Sequence, residues 1–154
     1  MLHRWTLDPA TGGVTEEALD EQEVEFPTLV DDERVGRHAR YLYTVAGADP
    51  RSTDRSAVIK YDTASGEAAR YDLDADTTVG EAVFAPATGG PRREDDGWLI
   101  SIATRRDGGA SQLLVLDAAD LPAGPVAAVE LPRAVPTGFH GSWFPDVSVR
   151  PEWH

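Results

Sequence analysis

The sequence predicts an all-β protein built as part of a β-propeller, about two to three blades of it. Three observations carry this. Apolar and polar residues alternate with a period of two in short runs, turn residues break those runs about every ten residues, and no segment has the broad apolar stripe of a helix. The runs are Tyr41–Ala46 (YLYTVA), Ala57–Asp62 (AVIKYD), Ala68–Leu73 (AARYDL), Ala82–Ala85 (AVFA), Gly97–Thr104 (GWLISIAT), Gln112–Asp117 (QLLVLD) and Val126–Leu131 (VAAVEL). Between the second and third, TASGE at 63–67 is a tight turn, so 58–73 reads as a hairpin. The best helix candidate is 15–25, where Thr15 suits a cap and Glu16 and Glu17 suit the positive end. Its apolar positions, Leu19 and Val24, make too narrow a stripe, and it reads as loop and strand. The propeller follows from a weak internal repeat. Val58-Ile59-Lys60-Tyr61-Asp62 and Leu114-Val115-Leu116-Asp117 each end an apolar strand in Asp before a turn, and Asp62 and Asp117 lie 55 positions apart. That is close to the roughly 40 to 50 residues of a four-stranded blade.

Composition narrows the function classes. At 154 residues the chain is long enough for a real core, and 41% hydrophobic residues in strand-length runs mark a folded chain. No apolar run approaches the roughly 18 to 20 residues of a membrane-spanning helix, and MLHRWTLDP lacks the apolar stretch of a signal peptide, so the expected location is the cytoplasm. The absence of cysteine removes disulfides, thiolate nucleophiles and sulfur-ligated zinc, which leaves nitrogen and oxygen to hold any metal. A formal charge of −13 repels phosphate backbones and argues against nucleic acid as a partner.

Few residues stand out as chemistry. Asp72, Asp74 and Asp76 imitate the start of a calcium loop, but Thr77 occupies the position that needs glycine and Val83 the position that needs a bidentate Glu. Glu94-Asp95-Asp96-Gly97 reads as turn chemistry at a strand entrance. No G-x-S-x-G elbow is present, and no carboxylate pair is singled out. Of the four histidines, His3 and His154 lie at the chain ends, and His38 stands among cationic side chains that oppose a bound cation. His140 differs. It lies in PTGFHGSW, where glycines let the backbone approach closely and Phe139 and Trp143 can shield an imidazole. On residue type alone, a hydrogen-bonded structural histidine is the commoner outcome and a metal ligand the sharper one.

Seven segments in order add a resemblance. They are Glu25-Phe26-Pro27, Gly36-Arg37-His38-Ala39-Arg40-Tyr41-Leu42-Tyr43, Gly80-Glu81-Ala82-Val83-Phe84-Ala85-Pro86, Glu94-Asp95-Asp96-Gly97-Trp98-Leu99, Leu116-Asp117-Ala118, Pro125-Val126-Ala127, and Leu131-Pro132 with Val135-Pro136-Thr137-Gly138-Phe139-His140-Gly141. Together they resemble the C-terminal part of the carotenoid cleavage oxygenases, the family of retinoid isomerase and lignostilbene dioxygenases. The resemblance implies a seven-bladed propeller with Fe(II) on its axis, held by histidines from different blades. It implies that residues 1–145 are C-terminal blades and 146–154 a tail. It makes His140 an iron ligand and Glu25 a carboxylate that accepts a hydrogen bond from a ligand imidazole, and the expected pairing is Glu25 with His140. The implied reaction is oxidative cleavage of a C=C bond of a carotenoid, apocarotenoid or stilbenoid by O2 into two carbonyl products. The other ligands fall in family segments that precede the E-F-P motif, before which only 24 residues stand here. The chain alone is therefore expected to be inactive and to need the missing N-terminal part of the propeller. The alternatives are a non-catalytic propeller-like binding module and an inactive remnant.

Overall fold

The computed structural model describes residues 1–29, 35–49, 51, 54–89, 93–136 and 138–144. Among the described residues the regular elements are eleven strands, β1 (Leu2–Asp8), β2 (Gly13–Asp20), β3 (Glu25–Leu29), β4 (Tyr41–Ala46), β5 (Ala57–Asp62), β6 (Ala68–Asp72), β7 (Thr77–Val79), β8 (Val83–Pro86), β9 (Gly97–Arg105), β10 (Gln112–Asp117) and β11 (Pro125–Glu130), with a 3-10 turn at Leu121–Ala123. The all-β expectation holds, and the runs at 41–46, 57–62 and 112–117 coincide with β4, β5 and β10. Four strands lack an apolar signal strong enough to read: β1, β2, β3 and the three-residue β7. The 15–25 segment is strand at both ends, covered by β2 and the start of β3.

The strands form two antiparallel meanders and a hairpin. The first sheet runs β3-β4-β5-β6, and the second runs β11-β10-β9-β7, with β8 also paired to β9. β7 and β8 lie end to end along the same edge of β9, one against 103–105 and the other against 97–100. They serve as one interrupted first strand, so each sheet is a four-stranded blade. β1 pairs with β2 apart from both sheets.

Register shows that the two sheets are copies. Tyr41 stands opposite Asp62 in the first, and Trp98 stands opposite Asp117 in the second. Each Asp closes the turn after its strand with its own carboxylate: Asp62 Oδ1 accepts the Ala64 N–H at 3.0 Å, and Asp117 Oδ1 accepts the Ala119 N–H at 2.8 Å. The repeated Asp seen in the sequence is therefore the turn lock of the third strand of each blade.

Alternation along the strands then decides how the sheets stack. Tyr43, Val45 and Val58 on one face of the first sheet share a buried cluster with Leu99, Ala103, Leu114 and Leu116 of the second. The opposite face of the first sheet, Ala46, Ala57, Ile59 and Tyr61, packs with Leu2 and Val24 from the hairpin side. Fully burying a Val or Leu side chain is worth about 1.5–3 kcal/mol, so this interleaved layer supplies most of the cohesion. Gly97 permits the closest approach: a Cβ there would stand 2.6 Å from the Ala85 carbonyl oxygen and from the Phe84 ring.

Polar groups pin the same interface. Tyr43 donates its hydroxyl to the Ala118 carbonyl at 2.9 Å and stacks on Phe84 at 6.1 Å between ring centroids. Lys60 Nζ lies 2.7 Å from Asp95 Oδ2, with both side chains under 10% exposed, and 4.2 Å from the Tyr41 ring centroid. Glu94 Oε1 accepts the backbone N–H groups of Arg40 and Tyr41, at 2.6 and 3.1 Å. The acidic turn is thus a turn, and two of its acids also clamp one blade to the other.

A buried ion pair broken on one side leaves an uncompensated charge, which typically costs about 3–5 kcal/mol. Lys60→Met or Asp95→Leu alone is expected to lose stability on that scale in urea denaturation. The double variant is expected to recover most of the loss, and strict additivity of the two would show that the pair does not interact.

Burial raises the Tyr43 phenol well above its ordinary value, helped by the nearby Asp95 charge, and burial with donation to Asp20 at 2.6 Å raises Tyr61. A group whose folded pKa is raised contributes stability fully present below its unfolded value, about 10, and lost as pH climbs above it. Stability is expected to fall from about pH 10 upward. A phenolate absorbance titration should show Tyr43 and Tyr61 ionising together with unfolding, not before it.

Candidate metal-ligand site

The site forms where the first strand of each blade is interrupted. In the first blade, Glu25 pairs with Val45 and Thr28 with Tyr43, three steps on β3 against two on β4. In the second, Val79 pairs with Ala103 and Val83 with Ile100, four steps against three. Each blade therefore carries one extra residue at the same depth, and a bulge of this kind re-aims side chains. Glu25 stands at the first bulge. Glu81 stands at the second, 56 positions later in the chain.

His140 arrives on the segment after β11, which has no ladder of its own and is tied down by side chains. The Val135 N–H donates to Ser111 Oγ at 2.9 Å, and the Gly141 N–H donates to Glu81 Oε2 at 2.6 Å. The same Glu81 oxygen lies 3.5 Å from His140 Nδ1, just outside hydrogen-bond length, with the Glu81 side chain 17% and the His140 side chain 76% exposed. Phe26 meets the imidazole edge-on, with ring centroids 5.9 Å apart and planes at 90°. A carboxylate facing Nδ1 favours the tautomer in which Nε2 keeps its lone pair for a ligand.

The sequence-expected pairing of Glu25 with His140 is not what the structure brings together. No hydrogen bond or ion pair joins them among the described residues, and the carboxylate at the ring is Glu81. Glu25 instead lines a cavity of about 350 Å3 with Phe26, Ala48, Gly80 and Phe139. His3 sits in β1 with Nδ1 2.7 Å from Glu16 Oε1 on the neighbouring strand, and His38 is exposed on the loop before β4. His154 and the 146–154 tail lie outside the described residues apart from any structural reading. Among the described residues no group of three or more His, Asp or Glu is placed to hold a metal ion. The donors present therefore fit a metal as one imidazole of a larger set, oriented by one carboxylate.

Glu81 lies within one of the seven segments, Gly80 to Pro86, but nothing in the linear sequence singles it out. The usable signal is the repeat: Glu81 follows Glu25 by 56 positions, one more than the 55 from Asp62 to Asp117, which puts it at the corresponding bulge one residue past Gly80, the register equivalent of Glu25.

Fold and site together define a class: two stacked propeller blades that present a carboxylate-oriented histidine at their bulged edge. The chain belongs to the carotenoid cleavage oxygenase family, whose profile, described as retinal pigment epithelial membrane protein (RPE65), matches residues 1–145. It is similar to a carotenoid cleavage oxygenase of Mycobacterium tuberculosis, 39% identical over 149 residues, covering 94% of this chain and 29% of that one. It is similar to an apocarotenoid-15,15'-oxygenase of Synechocystis, 37% identical and covering 92% of this chain and 29% of that one. Among solved structures, a variant of the Synechocystis apocarotenoid oxygenase superposes with a TM-score of 0.83 at 34% identity, over 92% of this chain and 29% of that chain. Another, described as cobalt-substituted, gives 0.82 at 33% identity, with the same coverage of both chains. The chain thus spans 29% of the length of these relatives and is a partial propeller.

A hydrogen bond to a charged group contributes about 1.5–3 kcal/mol. Glu81→Ala is expected to speed amide hydrogen exchange at Gly141 while leaving the β9–β10 ladder protected. Unchanged exchange at Gly141 would show that Glu81 does not hold this segment.

Proposed function

We propose that this chain forms the C-terminal blades of a non-haem Fe(II) dioxygenase that cleaves a C=C double bond of a carotenoid, apocarotenoid or stilbenoid into two carbonyl products. The observation that carries the proposal is the His140–Glu81 arrangement, an imidazole with one nitrogen facing a carboxylate and the other open. In this reading His140 Nε2 is one iron ligand, and the remaining ligand imidazoles come from blades outside this chain. Glu25, at the equivalent bulge of the neighbouring blade, accepts a hydrogen bond from one of those imidazoles. Its carboxylate makes no hydrogen bond or ion pair to a described residue, which suits that role. The iron, when bound, supplies activation of O2 beside the alkene. The chain's own contribution is to orient the ligands, and Glu25 lines a cavity with Phe26, Ala48, Asp49, Arg51 and Phe139.

The missing blades have a place to pack. By register, Trp98, Ile100, Ile102, Leu113 and Val115 of the second sheet correspond to Tyr41, Tyr43, Val45, Val58 and Lys60, the face by which the first sheet is covered. In the second sheet this face carries Trp98, 43% exposed, and the half-buried Ile100, Ile102, Leu113 and Val115. A further blade of the same propeller is the matching surface.

The test is the longest polypeptide encoded in the reading frame, assayed for iron and for cleavage of a carotenoid into two carbonyl products. It is expected to hold one iron per chain, and His140→Ala is expected to lose the iron and the cleavage together. The isolated chain of 154 residues should bind iron weakly. Full iron content in His140→Ala would remove His140 from the ligand set, and a complete polypeptide without iron would favour a non-catalytic binding module.

A further inference from the structure

Phe26 is the single non-glycine residue with positive φ among the described residues, at 53°. A bulky side chain is strained in this region, and the following Pro27 restricts the backbone further. Glycine would adopt the same φ without strain, so the local backbone gives no reason for an aromatic residue here. The ring has two neighbours of consequence. It is half-buried against the core shared by the blades, and it meets the His140 imidazole edge-on at 5.9 Å. Beyond Glu81, which accepts the Gly141 N–H and faces the ring, His140 has little else to hold it: its segment lacks a strand ladder, and its side chain is 76% exposed.

We infer that Phe26 is a positioning residue, held in place by its strained bulge, that fixes the plane of the His140 imidazole while Glu81 fixes which nitrogen faces inward. The core anchors one side of the Phe26 ring, the bulge aims it, and the edge-on contact passes that rigidity to an imidazole on an otherwise irregular segment. Strain stored beside a site in this way is a recurring means of preorganisation. The inference rests on the reading of His140 as a ligand for its purpose, but not for its test.

The test is nuclear magnetic resonance on the metal-free chain, comparing wild type with Phe26→Leu, Phe26→Tyr and Phe26→Gly. Wild type should show cross-peaks from the His140 ring to Phe26 and to Glu81. Phe26→Leu keeps an apolar contact with the core but lacks the aromatic edge, and should lose the His140–Glu81 cross-peaks while the β9–β10 amides keep their shifts. Phe26→Tyr should retain them. Phe26→Gly, which relieves the backbone strain, should lose them too, and it supplies the same answer should Phe26→Leu fail to fold. A residue that merely fills space predicts the opposite pattern, with His140 cross-peaks intact in Leu and Gly and only stability reduced; that pattern overturns the inference. Because no metal is present, failure here leaves the iron proposal standing, and loss of the iron proposal leaves this geometry to be judged by itself.

Discussion

The stacking of one blade face on the next is the constraint on which the rest depends. Tyr43, Val45 and Val58 can be dry only because Leu99, Leu114 and Leu116 cover them, and the first sheet's other face needs Leu2 and Val24 in turn. The polar contacts at this seam follow from it. Lys60 is drawn into a nearly water-free layer, so Asp95 and the Ala119 carbonyl must meet its charge there, at 2.7 and 3.4 Å. Fixing the angle between the blades also fixes the relation between their bulged first strands. The site inherits its geometry from the core, and the loop that bears His140 contributes mainly the imidazole.

The extent to which this was legible differs between the strands and the site. β4, β5, β9 and β10 are buried on at least one face and carry the β-branched and aromatic alternation that period-two reading detects. β1 and β2 are exposed along most of their length, so burial imposes no alternation on GVTEEALD, and its acids look like loop or helix start. β3 is interrupted by its own bulge between Glu25 and Thr28, which breaks the period that would announce it. β7 is too short to show a period at all.

The site was half legible for a related reason. His140 could be singled out because histidines are few and its neighbours are unusual. Which carboxylate meets it depends on the relative placement of β8 and the segment after β11, about 60 residues apart in the chain, and a linear reading offers no measure of that. The E-F-P motif of the family resemblance points to Glu25. The structure shows that Glu25 and Glu81 stand at the corresponding bulges of the two blades, one residue out of step, and Glu81 is the one that faces the His140 ring.

Since the two bulges stand at corresponding places in the two blades, they are related by one step of the blade repeat and not by an arbitrary displacement. Bulges placed this way recur only in whole blade steps. Where each bulge falls is then set by blade register, and a drift along the strand is resisted by every hydrogen-bonded rung that keeps a blade in register.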